Sequence, residues 1–94
     1  MRPFLDKKHY TKAERIFGEI LKKNHIRFQS KVMIEGREVD FLIGELVVEI
    51  GNHIQDRYKN KLIIEKGFST LFISNNQLYN SPELVEEHLL TNRL

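Results

Sequence analysis

Apolar residues recur along the chain with two different periods. Between Thr11 and Asn24 they stand at Ala13, Ile16, Phe17, Ile20 and Leu21. That is the i, i+3, i+4, i+7, i+8 stripe by which a helix turns one face to a core. The spacing predicts a helix that starts at Thr11 and frays near Asn24. From Ile26 the period becomes two. Ile26, Phe28, Val32 and Ile34 take alternate positions, with Ser30 the one polar member of the row, as in a strand with one buried face. Glu35-Gly36 signals a tight turn, Arg37 to Ile43 a second strand, and Gly44-Glu45 another turn. Leu46-Val47-Val48-Glu49-Ile50 is apolar almost throughout. It fits a strand buried on both faces in the middle of a sheet.

Gly51-Asn52 breaks that strand. The pattern then predicts a helix from about Ile54 to Lys66, with Ile54, Tyr58, Leu62 and Ile63 inward and Gly67 at its C-cap. Phe68 to Ser74 reads as a fourth strand and Asn75-Asn76 as a loop. Ser81-Pro82-Glu83 reads as a helix start, with a serine cap, proline at the first helical position and an acid in the first turn. The last helix carries Leu84, Val85, Leu89 and Leu90. The order is αβββαβα. Three strands joined by tight turns form an antiparallel meander, and the strand–helix–strand unit leaves strands three and four parallel. The fold class is therefore α/β, a mixed four-stranded sheet flanked by helices.

Length and composition narrow this little. Ninety-four residues, 40% of them hydrophobic, make one domain with a limited core. Residues 1–10 read as a basic lead-in, and Met1–Lys8 has no apolar stretch of the kind a signal peptide needs. No apolar run approaches the roughly 20 residues that cross a bilayer. There is no cysteine, which excludes disulfides and thiolate zinc sites and points to a reducing, cytoplasmic home. The net charge of +2 permits a polyanionic partner without demanding one.

The chemistry begins with acids in the wrong company. Asp40 interrupts the apolar run around Val39 and Phe41-Leu42-Ile43, and Glu49 interrupts a more apolar one. Carboxylates in central strands are costly to desolvate, so something must compensate. Either each acid points to an exposed face of its strand, or the two converge on a divalent cation. Magnesium prefers few carboxylates, with waters and phosphate oxygens completing its shell. His53 and Asp56 follow at the mouth of the second helix. His53 has the chemistry of a general base and Asp56 of a group that orients it or holds metal-bound water. Both are also ordinary residues for a helix start. Thr11-x-x-Glu14 is a capping box, which alone explains Glu14, yet Glu14 sits on the buried side of its helix beside Ala13 and Phe17.

Taken together, these residues resemble a known family. Glu14 lies in the first helix and Gln29 in the first strand, Val39-Asp40-Phe41 in the second and Val48-Glu49-Ile50-Gly51 in the third. His53, Asp56 and a helix ending Glu65-Lys66-Gly67 follow. The pattern, spanning about residues 11 to 74, resembles the very-short-patch-repair branch of the PD-(D/E)XK nucleases, and within it the catalytic domains of the EDxHD homing endonucleases.

The resemblance implies an αβββαβ(α) restriction-endonuclease-like core. It also implies a magnesium-dependent endodeoxyribonuclease acting on double-stranded DNA, with manganese able to substitute. Asp40 would be the central metal ligand, with Glu49 in the second-carboxylate position. Glu14 would orient a metal-bound water, and His53 and Asp56 would act in proton transfer or water ordering. Gln29 would be a supporting polar residue. The wider family places a lysine two residues after the second acid, where this chain has Gly51. Its task would pass to His53 or be absent, and the second case describes a decayed nuclease-fold module that binds DNA or a protein. Val39 likewise replaces the proline that precedes the first acid.

Lys12, Arg15, Arg57, Lys59 and Lys61 flank the acids in sequence and would hold the DNA backbone, which positions a duplex without reading it. Sequence choice would come from a separate recognition domain or partner, and the partners the resemblance allows include a second copy in a homodimer. The chain's abrupt start before the first helix suggests a catalytic piece of a longer protein.

Overall fold

The structure, a computed structural model, describes residues 9–51 and 57–92. The elements run α1 (Lys12–Lys23), β1 (Gln29–Ile34), β2 (Arg37–Ile43), β3 (Leu46–Ile50), α2 (Arg57–Glu65), β4 (Ser69–Ile73), α3 (Asn75–Asn80) and α4 (Pro82–Asn92). Sheet order is β1-β2-β3-β4. The first two pairings are antiparallel and the third is parallel, as the meander and crossover predict.

Local chemistry sets the boundaries. Thr11 Oγ1 accepts from the Glu14 amide at 3.1 Å, and Glu14 Oε1 accepts from the Thr11 amide at 2.9 Å. Two of the helix's orphan donors are thereby satisfied. At the other end the Ile26 amide reaches Leu21 O and the His25 amide reaches Lys22 O, with His25 at φ 56°. This is a Schellman motif with histidine in the position that favours glycine. The second helix ends the same way, Phe68 to Ile63 and Gly67 to Ile64, with glycine in place. Because Ile26 closes the first motif, β1 begins at Gln29, three residues later than the alternation suggests.

The turn Glu35-Gly36 holds φ values of 52° and 76°, the two positive angles of a type I′ hairpin. It pairs Ile34 with Arg37 and fixes the register back to Gln29 opposite Leu42. The sheet buries both faces. On one side Phe17 and Leu21 of α1, Leu78 of α3 and Val85 and Leu89 of α4 pack on Phe41, Ile43, Val48 and Ile50. The Phe17 ring stands edge-on to Phe41 at 5.1 Å. On the other side Ile63 of α2 joins Ile34, Val39 and Val47.

Three expectations need correction. The row from Ile26 to Ile34 does not keep to one face: Phe28 packs with the α1 cluster, whereas Val32 and Ile34 join the α2 cluster. β2 rolls over at the same level, with Phe41 on one side and Val39 on the other. The pivot is Lys31, at φ 54°, opposite Asp40 in the hairpin count. Asn75-Asn76 is not a loop but the start of α3. Ser74 and Gln77 form a second capping box there, and Leu78 is buried. In α4 Val85 and Leu89 are buried, but Leu84 and Leu90 face outward. Ile54, predicted inward, lies outside the described residues, as does the Tyr58 side chain.

Candidate functional site

The β2–β3 ladder pairs Ile43 with Leu46, Leu42 with Val47 and Phe41 with Val48. At the next row Asp40 takes over. Its Oδ2 accepts from the Ile50 amide at 2.8 Å, so the acid fills the fork between two central strands with a charge-assisted hydrogen bond. Its other oxygen, Oδ1, lies 3.5 Å from Lys31 Nζ.

Lys31 Nζ also donates to Glu14 Oε2 at 3.0 Å. Glu14, 4% exposed, thus divides its carboxylate: Oε1 caps α1 and Oε2 meets the ammonium. The cap thus uses one oxygen of Glu14 and leaves the other for the ammonium. The Tyr10 ring lies 5.7 Å from the ammonium, and its hydroxyl shares a 2.6 Å hydrogen bond with Ser30. The Lys31 side chain is 18% exposed. Burial pulls its pKa down, but the hydrogen bonds and negative charges of Glu14 and then Asp40 outweigh that and hold it above the ordinary lysine value.

Glu49 is 8% exposed, so neither acid simply points to solvent. Strand alternation gives Glu49 the direction of Val47, toward the α2 face. Gln29 is exposed at the start of β1, opposite Leu42. Lys12 is exposed with its ammonium 5.4 Å from the Tyr79 ring centre. Arg15 and Lys61 are exposed. His53 and Asp56 lie outside the described residues, as do the side chains of Arg57 and Lys59.

The donor set suits a hard cation. Two carboxylates from different elements converge on one positive charge, and oxygen pairs of this kind are what magnesium or manganese takes, with waters and phosphate oxygens completing the shell. Among the described residues no three His, Cys, Asp or Glu side chains gather. Glu14 and Asp40 would therefore supply part of the shell.

Sequence reading missed Lys31. The resemblance passes the task of a lysine at Gly51 to His53 or to absence, whereas in the structure an ammonium reaches Glu14 and Asp40 from β1. The signal was available: with Ile34 opposite Arg37 across a two-residue turn, counting back three rows puts position 31 opposite Asp40.

No protein-family profile matches the sequence, and neither does any curated protein. Among solved structures, the catalytic domain of the homing endonuclease I-Bth0305I is similar. The TM-score is 0.75 at 24% identity, over 87% of this chain and 93% of that one. At that identity the likeness speaks for the fold: this chain folds as that homing-endonuclease catalytic domain does, as a mixed four-stranded α/β sheet flanked by helices.

Proposed function

We propose that the chain is the catalytic domain of a magnesium-dependent DNA endonuclease, related to the very-short-patch-repair branch and its EDxHD homing endonucleases. The observation that carries this is the convergence of Glu14 and Asp40 on a single cation at the fork of the central strands, within a fold shared with a nuclease catalytic domain. A bound divalent ion would supply charge stabilisation at the phosphate and a more acidic water. Asp40 would hold that ion, fixed in place by the Ile50 amide. Glu14 would orient water from the helix side. His53 and Asp56 would move or order protons, with Glu49 in the second-carboxylate position and Gln29 supporting. Lys12, Arg15, Arg57, Lys59 and Lys61 would hold the DNA backbone, and target choice would come from a separate domain or partner.

The test is cleavage of supercoiled plasmid with and without magnesium, beside Asp40→Ala. Wild type should nick or linearise the plasmid only with metal, and the variant should lose at least about a hundredfold in rate, the scale of a metal-site or charge-stabilising deletion. Equal cutting by both proteins would remove the assignment. One observation favours a decayed binding module instead: the Lys31 ammonium neutralises part of the acid pair. That reading predicts DNA binding unaffected by magnesium, and no metal site by calorimetry.

A further inference from the structure

Lys31 stands where three unusual features meet. It is a non-glycine residue in left-handed backbone within a strand. Side-chain packing on both strands of the hairpin changes face at its row. Its ammonium lies between the two acids that the proposed function gives to metal and water, 3.0 Å from one and 3.5 Å from the other. At the other described non-glycine residues with positive φ, chain reversal explains it: His25 follows a helix and Glu35 lies in a turn. No reversal occurs at Lys31. A strained conformation persists only when its surroundings over-determine it, and the side-chain groups that meet it are Glu14, Asp40 and the Tyr10 ring.

We propose that Lys31 is a positioning residue that acts as the chain's own counter-cation, holding Glu14 and Asp40 together and giving up its place when a divalent ion binds. The inference rests on the nuclease reading, because it takes these acids as the ion's site. Two carboxylates and one ammonium leave a single net negative charge. Adding a divalent ion with the ammonium still in place would put like charges side by side in a largely buried setting, where Coulomb repulsion is poorly screened. The two cations therefore compete for the same oxygens. A DNA backbone changes that balance, since a phosphate oxygen can receive the displaced ammonium. Metal binding and DNA binding then help each other, and by linkage the help is reciprocal.

The experiment is calorimetric titration with manganese alone, on wild type, Lys31→Met and Lys31→Gly, with Lys31→Arg as the conservative variant. Glycine suits φ 54° and keeps the measurement available should the methionine variant fold poorly. Removing the ammonium should tighten manganese binding by about tenfold, within the usual range for coupled sites, while Lys31→Arg stays near wild type. In wild type a short DNA duplex, with calcium as the probe ion to prevent cutting, should tighten metal binding, and the glycine variant should lose most of that coupling. Metal affinity equal to or weaker than wild type in both ammonium-free variants overturns the inference and leaves the nuclease reading standing. No metal binding in any variant, with Asp40→Ala indistinguishable from wild type, overturns both.

Discussion

Among the described residues the same capping box is built twice. At α1 Thr11 and Glu14 exchange side-chain and backbone bonds, and at α3 Ser74 and Gln77 do so with nearly equal distances. The difference is in the residue at the third position. Gln77 is exposed and its amide oxygen ends its work at the cap. Glu14 is buried, and its second oxygen continues to Lys31. One local signal thus produces a helix start in one place and, in the other, a helix start that also delivers a carboxylate to the fork of the sheet. A capping role says nothing against a chemical one when the side chain has two oxygens.

The largest expected effect tests that difference directly. Glu14→Ala removes the reciprocal cap bond and leaves Lys31, mostly buried, with Asp40 as its remaining acid partner. Breaking a buried pair from one side is costly, and partial exposure of the lysine softens it. We expect a loss of about 2–3 kcal/mol in urea unfolding, against about 0.5 kcal/mol for Gln77→Ala, whose bond is exposed. Glu14→Gln separates the two jobs, because its amide oxygen still reaches Thr11 while the charge is gone. It should fall between wild type and Glu14→Ala. A glutamine variant as stable as wild type would mean that Glu14 is a cap and no more.

A smaller effect concerns the two Schellman motifs. Gly67 fills its left-handed position without strain, whereas His25 carries a side chain at φ 56°. His25→Gly should stabilise the domain by about 0.5–1 kcal/mol, the steric relief less the extra entropy glycine brings to the unfolded chain. The readout is the shift in thermal midpoint. Gly67→Ala should move it the other way, although nothing lies within 4 Å of a methyl group at that position, because backbone strain and not crowding opposes the change.

These pairs show what was legible. Elements, strand order and pairing directions followed from periodicity, from Glu35-Gly36 and Gly44-Glu45, and from the apolar run Leu46–Ile50. Those signals are local and repeat over several residues. The roll of the hairpin at Lys31 was not legible, because alternation presumes a regular pleat and a single left-handed residue reverses which parity faces which core. Ser74-x-x-Gln77 is masked by two asparagines that read as loop, though the box and Leu78 are enough to mark a helix. At the site, Asp40 and Glu14 stood out as acids among apolar neighbours. Lys31 did not, because a lysine in a strand next to serine looks like surface. Only the register count across the turn places it beside Asp40.

The smallest expected effect lies at the opposite end of α1. There Asn24 Nδ2 donates both to Ile20 O at 2.8 Å and to Glu86 Oε2 at 2.7 Å, while Lys23 Nζ donates to Glu86 Oε1 at 3.3 Å. This acid also joins a helix end, but with a lysine that is 70% exposed. The Asn24 hydrogen bond, the largest cause, holds the Glu86 carboxyl below its ordinary value against the opposing effect of burial, and Lys23 adds to it. A carboxyl depressed in the folded state stabilises above its unfolded pKa and loses that contribution as pH falls through the folded one. Glu86→Gln should therefore be slightly less stable than wild type at neutral pH, and the gap should close on acidification below the ordinary glutamate range. Salt should also narrow it, since the lysine of the pair is exposed and its charge is screened. Unfolding midpoints across pH, at low and high salt, measure this. A gap that resisted both acid and salt would place Glu86 with Glu14, as an acid whose charge matters through burial, and would erase the contrast between the two ends of the helix.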